Sequence, residues 1–355
     1  MSSKSVTVGG VKIGGGAPVS IQSMTNTDTR DRYATLRQIE ALYEAGCQIA
    51  RVAVHDEACV RSVRYLVDHS PIPLVADIHF DYRLAIGAIE NGIAKVRINP
   101  GNIGSQENVR RLADCLKAHH VPVRIGVNYG SIEKEILQKY GASAEGMVES
   151  ALKHASYLEK EGFDDIVLSM KSSDVRTTVE SYRLARRRCD YPLHVGVTEA
   201  GLPADGMVKS AIGIGALLLD GVGDTIRVSL TADPVEEIAA AQKILRAVGL
   251  LEDSVEVISC PTCGRTRIDV ADIARRVFDG TRHIKRPLKV AVMGCVVNGP
   301  GEARNADIGI AGGGGCGALF RKGERPVKVE GDLAQILLSA IEDEVARMDG
   351  SEAHI

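Results

Sequence analysis

A chain of 355 residues exceeds what one compact core normally organises and predicts about two domains, of which one can be a large barrel. With 45% hydrophobic residues, 25% charged residues and a formal net charge of -3, it has an ordinary globular composition. The longest basic run, Arg186 to Arg188, reads as a solvated helix face, so nothing favours a nucleic-acid partner.

The first residues, Met1-Ser-Ser-Lys-Ser-Val, lack the apolar core of a signal peptide, and no stretch reaches the length of a membrane span. A cytoplasmic location without a membrane partner is therefore expected. A short glycine-rich hairpin pattern, Val6 to Ile13, opens the chain. After it one unit recurs: a short β-branched run, a polar loop and an amphipathic helical stretch. The runs are Val19 to Met24, Ile49 to Val54, Pro73 to Ile78, Lys95 to Ile98, Pro122 to Val127, Asp165 to Met170, Leu193 to Val197 and Thr225 to Leu230. Helical patterns at Ala34 to Ala45, Glu107 to Ala118, Gly146 to Lys160 and Val175 to Arg188 lie between them. Eight such alternations predict an α/β fold with an N-terminal (βα)8 TIM-type barrel over residues 1-248. A doubly wound open sheet uses the same alternation and is the rival. Gly213-Ile-Gly215 falls inside a helical pattern and reads as close helix packing, not as a nucleotide loop.

The pattern changes over residues 249-355, a predicted small α/β domain. A strand with a cysteine loop (Val255 to Gly264) precedes a helix (Asp269 to Phe278) and a second strand with its loop (Lys289 to Glu302). A strand at Ile308 to Ala311 leads into the glycine run Gly312 to Gly315, either a tight turn or a place where backbone approaches a bound group closely. An amphipathic helix, Leu333 to Met348, completes it.

In a βα barrel the functional groups stand at the C-terminal ends of the strands. Here those ends are cationic or amide-bearing: Arg51, His79 after Asp77, Arg97 and Asn99, Arg124 and Asn128, Lys171, Thr198 and Glu199, and Arg227 and Ser229. An arginine facing a barrel interior loses hydration, so these residues either form structural ion pairs with Asp77 or Glu199 or converge on an anion. Guanidinium groups bind phosphate oxygens bidentately, and the set suits a substrate with two phosphates. Glu199, a carboxylate ending a late strand amid cations, is the acid or base candidate. His79 and His194 are weaker candidates for proton transfer.

Eight cysteines in such a chain argue for metal, redox or buried-thiol roles rather than disulfides. Cys47, Cys59, Cys115 and Cys189 are scattered among apolar or helical patterns, whereas Cys260, Cys263, Cys295 and Cys316 crowd the last part. Cys260-Pro-Thr-Cys263 has the spacing with which one loop offers two thiolates to a metal centre. Four thiolates would complete tetrahedral zinc. In Cys295-Val-Val-Asn-Gly-Pro-Gly-Glu302, however, the glycines and proline can bring Glu302 to the metal of Cys295, and three thiolates with one carboxylate suit a [4Fe-4S] cluster with a labile corner. Two enzyme classes stay open on these residues: a reductase of a diphosphate-bearing substrate, and a redox-inert barrel transferase or lyase for a phosphorylated compound with a structural zinc ribbon.

Seven segments carry a resemblance: Ser23-Met-Thr-Asn-Thr, Ala76-Asp-Ile-His-Phe, Val96-Arg-Ile-Asn-Pro-Gly-Asn, Arg124-Ile-Gly-Val-Asn, Gly196-Val-Thr-Glu-Ala-Gly, Ser259-Cys-Pro-Thr-Cys-Gly-Arg and Gly294-Cys-Val-Val-Asn-Gly-Pro-Gly-Glu. With them the chain resembles, from Val6 to about Met348, the bacterial 4-hydroxy-3-methylbut-2-enyl diphosphate synthase family, the reductive enzymes of the methylerythritol phosphate route to isoprenoid precursors, in its short two-domain form. The resemblance implies that the second domain is an iron-sulfur domain similar to those of sulfite reductases, with Cys260, Cys263, Cys295 and Glu302 holding a [4Fe-4S] cluster. It implies that Arg51, Arg97, Arg124, Asn128, Lys171 and Ser229 line the site for 2-C-methyl-D-erythritol 2,4-cyclodiphosphate, and that Glu199 assists proton transfer. It also implies electrons from a ferredoxin or flavodoxin, and a head-to-tail homodimer with a shared active site. Cys316 is not a position of the family motif.

Overall fold

The computed structural model describes residues 3–79, 81–98, 105–128, 130, 132–295, 303–313 and 316–352. The chain divides into two units, Met1–Leu251 and Glu252–Ile355.

The first unit opens with the antiparallel hairpin β1 (Ser5–Val8) and β2 (Val11–Gly14). Its Val8 and Ile13 pack on Ile49 and Val75, near the N-terminal ends of two barrel strands, so an apolar plug closes that end. The barrel strands are β3 (Ser20–Met24), β4 (Ile49–Ala53), β5 (Leu74–Asp77), β6 (Lys95–Ile98), β7 (Val123–Asn128), β8 (Ile166–Lys171), β9 (His194–Val195) and β10 (Thr225–Ile226). They form one parallel sheet in the order β8-β7-β6-β5-β4-β3-β10-β9, and a parallel bridge between Leu168 and Leu193 joins its two ends. That closure overturns the open doubly wound alternative. β9 and β10 are shorter than the runs Leu193 to Val197 and Thr225 to Leu230 suggest. Regular pairing stops at Val195 and Ile226, just before Gly196 and Arg227 come into close contact.

Around the strands lie α1 (Arg32–Glu44), α2 (Glu57–His69), α3 (Tyr82–Glu90), α4 (Gln106–His119), α5 (Lys134–Tyr140), α6 (Ala144–Glu159), α7 (Val175–Arg188), α8 (Pro203–Leu219) and α9 (Pro234–Ala247). Most βα loops end in a side chain that caps the next helix: Asp56 accepts from the Cys59 amide, Ser105 from Asn108 and Asp174 from Thr177. The inward stripes, such as Val63 and Leu66 of α2 or Leu112 and Leu116 of α4, fill the layer against the strands. Burying each such side chain contributes about 1.5–3 kcal/mol. Gly213 and Gly215 lie within α8 and are buried there.

The second unit is a five-stranded mixed sheet in the order β11 (Val255–Ser259), β12 (Leu288–Met293), β13 (Ile308–Gly312), β14 (Gly317–Arg321) and β15 (Val327–Val329). β11, β12 and β13 are parallel, whereas β13, β14 and β15 pair antiparallel. Val270, Ile273 and Val277 of α10 (Val270–Gly280) and Ala334, Leu337 and Ile341 of α11 (Leu333–Glu352) share a core with Val290, Val292, Ile308 and Ile310.

Candidate active site

Ladder register decides which mouth residues are neighbours. It places Met24 beside Arg51, Asp77 beside Arg97, Arg97 beside Arg124 and Asn128 beside Lys171. Asp77 is the buried centre of the group: Arg97 Nη1 donates to its Oδ1 at 3.1 Å, and Arg51 Nε lies 3.7 Å from its Oδ2. Arg51 also rests its guanidinium against Met24 Sδ, at 2.9 and 3.0 Å. Arg97 reaches the exposed His79 ring at 3.3 Å and the Gly126 carbonyl at 3.4 Å. Arg124 donates from Nη1 to Gln22 Oε1 at 3.4 Å, while its buried Nε has no hydrogen-bond partner.

These contacts set the electrostatics. Burial works to raise the Asp77 carboxyl pKa, but the charge of Arg51, a hydrogen bond from His79 and the charges of Arg97 and Arg124 together hold it well below the ordinary value. Burial pushes Arg51 down to about 10; Asp77 opposes this, and Arg227 and Arg97 add to it. Arg124 and Lys171 are driven well below their usual values, first by burial and then by neighbouring cations. Lys171, buried at the end of β8, has no ion pair among the described residues. An anion placed here would reverse that penalty, because it supplies the counter-charge the fold omits.

Two glycines make the room. A Cβ on Gly126 would stand 2.6 Å from Arg97 Nε, and one on Gly196 would stand 2.4 Å from the Arg227 carbonyl and 2.8 Å from Lys171 Nζ. The Arg124-Ile-Gly and Gly196-Val-Thr segments thus owe their glycines to cations lying across them.

Arg227 takes neither of the two carboxylate partners that the sequence left open, Asp77 and Glu199. Its guanidinium pairs instead with Glu237 of α9, Nε and Nη2 each at 3.3 Å from one carboxylate oxygen. Glu237 is buried and also accepts from Ser23 Oγ at 2.8 Å and the Leu230 amide at 3.1 Å. It therefore ties β3, α9 and the segment after β10 together. Among the described residues, Asp77 and Glu237 are the two buried carboxylates set against Arg51, Arg97, Arg124, Lys171 and Arg227, which leaves three formal positive charges there.

Glu199 is exposed and holds a left-handed backbone at φ 50°. A non-glycine residue rarely adopts that conformation, and such outliers concentrate at functional sites. Beside it the Thr198 amide donates to the Ser172 carbonyl at 3.3 Å. Asn128 is exposed at the end of β7, and Ser229 is half-buried beyond β10. Asn99 and Glu302 lie outside the described residues. Beneath the mouth, Lys95 and His194 are fully buried, and neither Lys95 Nζ nor the His194 ring nitrogens have a hydrogen-bond partner.

In the second unit, parallel pairing sets Ser259 of β11 against Val292 of β12, and Met293 against Ala311 of β13. Cys260, Cys295 and Gly313 therefore follow the same end of three adjacent strands. The Gly294 amide donates to Cys260 Sγ at 3.1 Å, and the Arg267 amide to the Gly294 carbonyl at 2.9 Å, which ties the Cys260–Cys263 loop to the start of the Cys295 loop. Cys263 is exposed and Cys260, Cys295 and Cys316 are half-buried. Thiolate donors on clustered loops, with a backbone amide aimed at one sulfur, fit an iron-sulfur cluster. The loop does sit in a β11–α10–β12 unit. α10, however, begins only at Val270, so Cys260-Pro-Thr-Cys263 does not cap a helix as a thioredoxin-like motif would.

Residues 3–242 match the family model described as the GcpE TIM-barrel domain, and residues 256–343 match the GcpE protein C-terminal domain. The chain belongs to the GcpE family. A relative from Caldanaerobacter subterraneus subsp. tengcongensis, described as 4-hydroxy-3-methylbut-2-en-1-yl diphosphate synthase (flavodoxin), is 59% identical over 337 residues, 94% of this chain and 95% of its own. A protein of the same description from Clostridium perfringens is 57% identical over 341 residues, 96% of this chain and 98% of its own. Among solved structures, a spore coat polysaccharide biosynthesis protein from Bacillus subtilis is similar in fold, with a TM-score of 0.50 and 12% identity over 70% of this chain and 74% of its own.

Within this GcpE chain, Glu237 is the mouth residue that sequence reasoning missed. Asp233-Pro-Val-Glu-Glu237 looks like an ordinary acidic first helical turn, and only the packing of α9 on β3 turns its last carboxylate inward.

Proposed function

We propose that this chain is a reductive 4-hydroxy-3-methylbut-2-en-1-yl diphosphate synthase, and that it opens the ring of 2-C-methyl-D-erythritol 2,4-cyclodiphosphate and expels water in isoprenoid biosynthesis. Relatives of that description at 59% and 57% identity over nearly the whole chain carry this reading. The under-compensated cations of the barrel mouth agree with it, since they are suited to a small dianion. The redox-inert transferase with a zinc ribbon has no counterpart among these relatives.

Family membership implies a metal cofactor. In this reading it is a [4Fe-4S] cluster held by Cys260, Cys263, Cys295 and Glu302. When bound, it supplies single electrons, received from flavodoxin, and a Lewis-acidic iron. The remaining work falls to the protein. Arg51, Arg97, Arg124 and Lys171 grip the diphosphate oxygens, and Asn128, Ser229, Thr198, His79 and Asn99 add hydrogen bonds. Their charge stabilises the phosphate oxygen as the ring carbon-oxygen bond breaks. Glu237 holds Arg227 in place through two hydrogen bonds. Glu199 delivers the proton with which the departing hydroxyl leaves as water. Two electrons and that proton balance the conversion. A homodimer in which the cluster unit of one copy serves the barrel of the other completes the proposal, in the cytoplasm.

Calorimetric titration of the protein with the cyclodiphosphate tests the mouth directly. Binding that weakens in Arg124→Met and Lys171→Met is expected; unaltered affinity in both variants would remove the diphosphate from this site.

A further inference from the structure

A further cluster of metal-ligating side chains lies within the first unit. Asp28 lies in the loop between β3 and α1, His55 follows β4, and Cys59 sits in the first turn of α2. One ligand atom from each lies within 4.8 Å of the other two. We propose that Asp28, His55 and Cys59 form a binding site for a zinc-type divalent cation on the rim of the barrel.

The three donors are close enough to share one ion. Cys59 Sγ lies 3.6 Å from His55 Nδ1. A tetrahedral zinc ion with ordinary Zn–S and Zn–N lengths sets its sulfur and nitrogen ligands about 3.5 Å apart. Cys59 Sγ lies 3.9 Å from His55 Nε2 as well, and Asp56 Oδ2 lies 3.7 Å from that same nitrogen, so a turn of the ring about its Cβ–Cγ bond would aim one nitrogen at an ion beside the sulfur and leave the other to the carboxylate that orients it. Asp56 also caps α2 through the Cys59 amide at 2.8 Å, which fixes the position of the cysteine. Sulfur, nitrogen and oxygen together select a borderline-soft cation over magnesium or calcium, and three protein donors leave a fourth corner for water.

The facing charges allow it. Arg30 chelates Asp28, with Nη2 at 2.7 Å from Oδ2 and Nε at 3.0 Å from Oδ1. A carboxylate bound by arginine retains further lone pairs with which to meet a cation. Asp28, Asp56 and a metal-bound Cys59 thiolate outweigh Arg30. A bound ion would join the loops that follow β3 and β4, the neighbouring strands that carry Met24 and Arg51.

Cluster-loaded protein, kept without oxygen, is equilibrated with zinc against a weak chelator, desalted and analysed for zinc and iron. The expected result is one zinc per chain at unchanged iron content, with at least a tenfold loss of zinc affinity in Cys59→Ser and in His55→Ala and none in Cys189→Ser. Zinc should also raise the thermal midpoint of the wild type but not of the first two variants. Should either variant fail to fold, the exposed Asp28→Asn substitution gives the same reading. No zinc on iron-replete wild type, equal retention in the ligand variants, or zinc that appears only as iron is lost overturns the site.

Discussion

Glu237 grips Arg227 at two points, 3.3 Å from Nε and from Nη2, while the same carboxylate takes the Ser23 hydroxyl at 2.8 Å. Removing the charge leaves Arg227 uncompensated in a largely buried place. Glu237→Gln is therefore expected to cost about 2 kcal/mol, less than a fully buried pair because the Arg227 side chain keeps some solvent. Adding Arg227→Met should recover much of the loss, and urea unfolding of the two single variants and the double variant reads the coupling. Additive losses would mean that the contact carries no coupling.

Lys171 behaves in the opposite way. It has no carboxylate partner among the described residues, and burial already disfavours its charge. Lys171→Met should leave stability unchanged or raise it by about 1 kcal/mol. Affinity for the cyclodiphosphate should fall about 10- to 100-fold as a charge-assisted hydrogen bond is lost. A destabilised variant with intact affinity would assign Lys171 to the scaffold instead.

Gly126→Ala places a methyl group 2.6 Å from the present position of Arg97 Nε. The guanidinium must shift, and its contact with Asp77 with it. Steady-state kinetics should show kcat/KM lower by about tenfold, since small displacements of binding groups are costly. An unchanged value would show that Arg97 has slack.

His194 gives the pH dependence. Burial first, and then the charges of Arg124, Lys171, Lys95 and Arg51, hold its pKa well below the ordinary 6.5. Below that value the unfolded chain takes up a proton that the folded one refuses. Its effect is absent above about pH 6.5, and stability falls below it by up to about 1.4 kcal/mol per pH unit. Between pH 7.5 and pH 5.5 the wild type should lose about 1 kcal/mol more than His194→Asn in chemical unfolding. Equal losses would acquit His194.

Most of the barrel was legible because each strand is a short β-branched run and each helix keeps an apolar stripe; α7 spans Val175–Arg188, as its pattern indicates. The mouth cations were legible because they close the β-branched runs, and period-two alternation sets Arg124 and Asn128 on one face of β7. Pairing was legible only in part. Asp77 already stood as a partner for the strand-end arginines, and Arg51 and Arg97 share it, whereas Glu237 reaching in from α9 depends on helix packing that no local pattern marks. The same holds for His55 and Cys59, which became a pair only when α2 began at Glu57.

The most direct test is anaerobic turnover of the cyclodiphosphate with reduced flavodoxin by protein of measured iron and sulfide content. The expected result is 4-hydroxy-3-methylbut-2-en-1-yl diphosphate, one molecule for every two electrons consumed. Iron-replete protein that leaves the cyclodiphosphate intact, or turnover by zinc-bearing protein without sulfide, would contradict the assignment.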